Sequence, residues 1–298
     1  MNTNNTHTQH AQHAQHPALR LSFDAHTHLH LDERAEAVER AHLALEERAG
    51  SALMCTEPPD WARALALASA HHNARLFVGV HPWFAHRYAS QLTDRQGESG
   101  GESGSGSGRE GEGWLSALRE LLTQDERLCV GEIGLDRRWR TPDTGEVAYQ
   151  AQLTCFEAQL ALAAELKRPV SVHCVHAQGD LYRLLSEAPE LPPTIALHAF
   201  GGARGTVEQL TRSRFGARLY FGFAACVNFR SPKTKEVLKA VPPDRLLLES
   251  DRSSALSDLS TELLTTLAHY QEAQGWPSLE EAAQETTRNA ERWLLGEV

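Results

Sequence analysis

Seven ionisable side chains in this sequence occupy equivalent places. His26 and His28 stand in F-D-A-H-T-H-L, His81 in G-V-H-P, Glu132 in G-E-I-G, His173 in S-V-H-C, His198 in A-L-H-A and Asp251 in L-E-S-D. Each closes or follows a short apolar run. Taken singly, any of them reads equally well as a hydrogen-bonded core or surface group. Their shared position at the ends of separate runs sets them apart. Imidazoles and carboxylates without a thiolate partner suit Zn²⁺, Mn²⁺ or a similar divalent ion. The set exceeds what one tetrahedral ion needs, whereas two ions about 3.5–4 Å apart, sharing one carboxylate, would use it fully. Such a pair polarises a phosphoryl or carbonyl oxygen and lowers the pKa of a water towards about 7. The chemistry expected is hydrolysis.

Elements that could gather these residues recur along the chain. The apolar runs are 21–25, 51–56, 75–80, 128–133, 169–173, 194–198, 217–223 and 245–250, with helical periodicity between them. In 146–167, for instance, Tyr149, Leu153, Phe156, Leu160 and Ala163 recur at i+4 and i+3 spacings. Leu259, Leu263, Leu267 and Tyr270 line one face of a later helix, and Ser278 with Glu281 marks the start of a last one. Continuous apolar strands alternating with helices imply a parallel sheet covered on both faces. The expected fold is α/β, a (β/α)₈ TIM barrel forming one domain, whose strand C-termini converge on one mouth. The alternative, an open doubly wound sheet, finds no G-x-G-x-x-G or G-x-x-x-x-G-K-[ST] to support it.

His30 completes an H-T-H-L-H alternation but is expected to stand apart. At about 3.3 Å per residue, His26 and His28 can converge on one ion, and His30 lies too far along to join them. It is expected to leave the strand before Asp32 and meet substrate or solvent.

The totals narrow the setting. The chain has 298 residues, a formal charge of −10 and 41% hydrophobic residues, enough for a buried core. The acidic balance argues against a protein that coats nucleic acid electrostatically. Five scattered cysteines with no C-x-x-C pair suggest a reducing compartment, the cytoplasm or the nucleus. No apolar stretch is long enough for a membrane span, and the N-terminus has no signal core. Residues 1–18, rich in His, Gln and Thr, are expected to be a disordered tail that could serve a protein partner or bind metal adventitiously. Residues 97–113, rich in Gly and Ser, are expected to be a flexible insertion in a domain spanning 19–298.

In order, F-D-A-H-T-H-L, G-V-H-P, G-E-I-G-L-D, the His of S-V-H-C, L-H-A-F-G-G and L-L-L-E-S-D resemble the TatD family of metal-dependent deoxyribonucleases. The closing T-T-R-N-A-E-R-W-L, with Asn289, is similar to that family's last helix. The resemblance covers residues 21 to 295. It implies a TIM barrel that hydrolyses DNA phosphodiesters, often from the 3′ end, with two divalent ions (Zn, Mn or Mg). His26, His28 and Asp251 would hold one ion, His173 and His198 the other, and Glu132 would bridge them. Asp251 would also act as general base, with His81 touching substrate or supporting the ligands. The sequence departs from the family at Val175, where an Arg is common, and in the R-S-S that follows Asp251.

An acidic chain that grips DNA needs local positive charge. Arg137, Arg138 and Arg140 follow the fourth run, with Trp139 among them to stack on a base. Arg204, Arg230, Lys233, Lys235 and Arg252 follow later runs, on the same half of the mouth. Ordinary solvated charge explains them equally well. The expected substrate is DNA, single-stranded or at 3′ ends, and the expected state a monomer. Two alternatives stand beside this: hydrolysis of another ester or amide, such as an aminoacyl ester on RNA, or an interaction protein that has lost catalysis. The fourth run holds Glu132 and no Lys, unlike amidohydrolases that bridge their metals with a carboxylated Lys.

Overall fold

The apolar runs become eight strands: β1 Phe23–Thr27, β2 Gly50–Met54, β3 Ala74–Val78, β4 Cys129–Asp136, β5 Val170–Val175, β6 Ile195–Leu197, β7 Leu219–Ala224 and β8 Leu246–Glu249. They pair in parallel and in chain order, as a (β/α)₈ barrel requires. The computed structural model describes residues 16–93 and 113–298. The expected tail up to residue 15, and the expected insertion up to residue 112, lie outside the described residues. Order begins within the stretch read as tail, where Pro17–Arg20 form a short helix that buries Ala18 and Leu19.

Between β8 and β1 the ring closes without a regular ladder. Asp251 N–H donates to the His26 carbonyl at 2.9 Å, and His28 N–H to that of Arg252 at 2.8 Å. The Asp24 carboxylate accepts from Ser250 N–H at 2.9 Å. These bonds hold the ends of the two strands at a common height.

Every residue of β1, β4 and β7 is buried, as expected for strands covered on both faces. One apolar cluster drawn from nearly all the strands, including Met54, Phe77, Tyr220 and Leu247, meets Trp293 of the last helix. That indole stacks on Phe77 at 4.8 Å and donates to the Val170 carbonyl at 3.3 Å. Val170 opens β5, so Trp293 closes the N-terminal end of the barrel, leaving the opposite end for polar side chains. A larger cluster packs the strands against the surrounding helices.

Two irregularities re-aim the mouth. An extra residue enters β1 between Asp24 and Thr27, and another enters β4 between Val130 and Ile133. A bulge turns a side chain off the strict alternation, and these two fall at His26 and Glu132. β3 and β4 pair only at Phe77↔Cys129 and Val78↔Val130 before they splay. Two glutamines of the helix Tyr149–Glu165 satisfy the strand ends there. Gln159 bonds both the N–H and the carbonyl of Val80, at 2.7 and 3.1 Å. Gln152 does the same for Asp136, at 2.7 and 3.0 Å. Buried backbone groups need such partners, and here the partners fix the ends from which the site is built.

Candidate metal centre

Glu132 is the hub of the mouth. Its Oε2 lies 3.2 Å from His26 Nε2 and 3.3 Å from His28 Nε2. Its Oε1 lies 2.9 Å from His173 Nδ1, 3.3 Å from His81 Nε2 and 3.6 Å from His198 Nε2. One carboxylate thus faces two groups of imidazoles, one with each oxygen. Asp251 Oδ1 stands 3.9 Å from Nε2 of both His26 and His28 and 3.8 Å from that of His198. The structure therefore gathers His26, His28, His81, Glu132, His173, His198 and Asp251 in one place. Three overlapping groups, His26–Glu132–His198, His26–His28–Asp251 and His81–Glu132–His173, each bring their donor atoms within 4.8 Å of one another.

The donor set fits a divalent cation. Among the described residues, no Lys or Arg pairs with Glu132 or Asp251. His28 Nδ1 lies 2.7 Å from the Met54 carbonyl, an acceptor only, so that nitrogen carries the proton. Its Nε2 lone pair is left facing His26 Nε2 at 3.2 Å. Lone pairs and carboxylate oxygens converging in a buried site are what a cation stabilises.

Electrostatics divide the histidines. Burial lowers His26 to about 3, with His198 adding to the effect, and burial lowers His81 to about 4 against the pull of Glu132. Burial also opposes charge on His198, but Asp251, Glu132 and Glu249 outweigh it and raise His198 to about 10. His28 and His173 are raised too, because their carboxylate partners overcome desolvation. Glu132 is held well below the usual range: desolvation opposes its charge, and His81, His26 and His198 together overcome that. Asp251 and Ala199 take left-handed backbone angles, φ 51° and 39°, a strain that non-glycine residues bear mostly at functional sites.

A profile of the TatD related DNases matches residues 23–295, which contain the whole cluster. The chain belongs to the TatD DNase family. The 3′-5′ ssDNA/RNA exonuclease TatD of Klebsiella pneumoniae is 31% identical over 72% of this chain and 70% of its own length. Cut9-interacting protein scn1 of Schizosaccharomyces pombe is 27% identical over 91% of this chain and 98% of its own. The crystal structure of the TatD homologue YJJV from Escherichia coli shares the fold, with TM-score 0.66 and 21% identity over 93% of this chain and 98% of that one.

Around this TatD-type cluster stand two carboxylates to which sequence reasoning gave no role. Asp136 Oδ2 lies 3.2 Å from His173 Nε2, and Glu249 Oε2 lies 3.3 Å from His198 Nδ1 while accepting from Ala199 N–H at 3.0 Å. Both orient a histidine from behind. The strand-end criterion should have found them, since Asp136 ends β4 and Glu249 ends β8. His30 needs correcting. It leaves β1 as expected, but in a short 3₁₀ turn, Leu29–Leu31, that buries it at 2% exposure, with Nε2 3.8 Å from Asp60 Oδ2. It meets neither solvent nor the open mouth, and with Cys55 and Asp60 it forms a separate buried group.

The arginines divide as well. Arg137 pairs with Asp180 at 2.6 Å, its guanidinium 4.1 Å over the Tyr149 ring. Arg204 pairs with Glu208 at 2.9 Å, and Arg252 pairs with Glu262. Arg140 donates to the Gly145 carbonyl at 2.9 Å. The Arg138 guanidinium has no partner among the described residues. Val175 and His176 line a cleft of about 700 Å³ with Arg204 and Lys233, beside the ends of β5 to β7. Among the described residues, no helix is long and apolar enough to cross a membrane.

Proposed function

We propose that this chain is a two-metal phosphodiesterase that cuts DNA from the 3′ end, acting as a monomer in the cytoplasm or nucleus. The observation that carries the reading is Glu132, whose two oxygens face separate groups of imidazoles. His26, His28 and Asp251 would hold one divalent ion (Zn, Mn or Mg), His173 and His198 a second, with Glu132 shared. Such ions supply Lewis acidity towards a phosphoryl oxygen and acidify water. Asp251 Oδ1, at the edge of the cluster and partly exposed, accepts the proton of the attacking water. Asp136 and Glu249 hold the imidazoles of His173 and His198 in place. The Klebsiella exonuclease relative supports single-stranded nucleic acid as substrate.

The test is an assay of purified protein on single-stranded DNA labelled at either end, with Mg²⁺, Mn²⁺ or Zn²⁺ added. Mononucleotides released progressively from the 3′ end are the expected product. Metal bound without cleavage would favour hydrolysis of another ester or amide, and no metal bound would favour an interaction platform, which the name of the fission yeast relative supports.

Metal uptake should also depend on pH in a set direction. A ligating imidazole must be neutral. His198, raised to about 10, holds a proton in the metal-free chain. His26 and His81, whose values are lowered, are already neutral. Binding therefore releases protons, and affinity rises with pH through neutrality. Calorimetry in buffers of different ionisation enthalpy reads this release, and a heat independent of buffer would contradict it.

A further inference from the structure

Beside the cluster, two tryptophans share one support. Asp136 Oδ2 accepts a hydrogen bond from Trp83 Nε1 at 2.8 Å while facing His173 Nε2 at 3.2 Å. Asp136 Oδ1 accepts from the backbone N–H groups of Arg138 and Trp139, at 2.7 and 3.0 Å. One carboxylate thus fixes an indole, the turn that carries a second indole, and a histidine of the cluster. The Trp83 and Trp139 rings lie 11° from parallel with centroids 6.1 Å apart, and His81 stands edge-on to Trp83 at 4.9 Å. A base inserted between the two indoles would need two stacking steps of about 3.4 Å each, more than this spacing allows. A ligand ring must therefore stack on an outer face of the pair. Trp83 is 39% exposed in a chain whose other large aromatics are mostly buried.

Charge alone gives a weak grip here. The chain carries a net −10, and Arg137, Arg204 and Arg252 at the mouth are already paired. Stacking is the component of single-strand binding that needs no net positive charge, and it accepts any base. We propose that Trp83 and Trp139 form a stacking shelf for an unpaired nucleobase beside the cluster, with the free guanidinium of Arg138 on the phosphate of the same strand. The proposal rests on the nucleic-acid reading above and adds a selection: a base must leave its duplex to reach the shelf.

Trp139→Ala is the clean variant, because its backbone N–H still serves Asp136. Binding is read by fluorescence anisotropy of 5′-labelled single-stranded oligonucleotides, with metal chelated so that nothing is cut. One oligonucleotide ends in an ordinary 3′ nucleotide and the other in a 3′ abasic residue. Wild-type protein should prefer the ordinary end roughly tenfold, the scale of one stacked base. That preference should fall below about twofold in Trp139→Ala and return in Trp139→Phe. An equal preference in wild type and Trp139→Ala, or no binding by wild type, overturns the shelf. A preference that depends on Trp139, in a protein that cuts neither oligonucleotide when metal is supplied, upholds the shelf and overturns the hydrolase reading.

Discussion

Glu132→Gln should lower hydrolysis of single-stranded DNA by about 10²–10³-fold, the scale seen when a group that stabilises developing charge is removed, and should strip bound metal. The amide keeps the volume and shape of the carboxylate, so packing alone does not account for such a loss. What changes is charge and donor sense. An amide NH₂ would replace one oxygen and aim a donor at the Nε2 lone pairs of His26 and His28 or at the His173 side. Neither side could then share an anion. In the metal-free chain the change also deprives His198, raised to about 10, of one of the carboxylates that answer its charge. Removing one partner of a buried pair costs about 3–5 kcal/mol, so the variant should also melt earlier. Metal content by elemental analysis, turnover and thermal unfolding read the three consequences. Metal retained within about twofold, with activity within about tenfold, would show that Glu132 is not the shared ligand.

How much of this was legible in the sequence differs from residue to residue. The barrel was, because its strands are buried on both faces and each apolar run stands between helical periods. So was the gathering of His26, His28, Glu132, His173, His198 and Asp251, because a parallel barrel brings every strand C-terminus to one end. The same rule applied to Asp136 and Glu249 would have found the carboxylates behind His173 and His198. Asp136 closes G-E-I-G-L-D and Glu249 stands in L-L-L-E-S-D, each at a strand end.

Other features were not legible at all. His30 leaves β1 as expected, but the 3₁₀ turn that folds it inward beside Asp60, away from solvent, is announced by nothing in H-T-H-L-H. The pairing of Arg137 with Asp180 joins the end of β4 to the helix after β5, so a count of basic residues by loop overstated the free charge at the mouth. Arg204 was different: Glu208 lies one helical turn on, and that local pair could have been read directly. The support that Asp136 gives Trp83 crosses from β4 to the loop after β3, a contact that only the closed barrel creates.

Gly134→Ala should destabilise the protein by about 3–5 kcal/mol, lowering the melting temperature by roughly 10 °C. Gly134 has φ 147°, a region closed to side chains, and an added Cβ would sit 1.9 Å from the His173 carbonyl oxygen and 2.9 Å from its nitrogen. The obstruction is backbone and cannot rotate away. Gly134 pairs with His173 in the β4–β5 ladder, so relief means pushing β5 outwards and carrying the His173 ring off Glu132 and Asp136. Weaker metal binding should therefore accompany the loss of stability. Gly179→Ala is the control: an added Cβ there meets nothing within 4 Å, and in a helix the change is neutral or stabilising by about 0.5–1 kcal/mol. A Gly134→Ala variant that melts within about 2 °C of wild type, an effect near 1 kcal/mol or less, would mean that the two strands can part without cost. The close approach of β4 and β5 would then not be what holds His173 against Glu132.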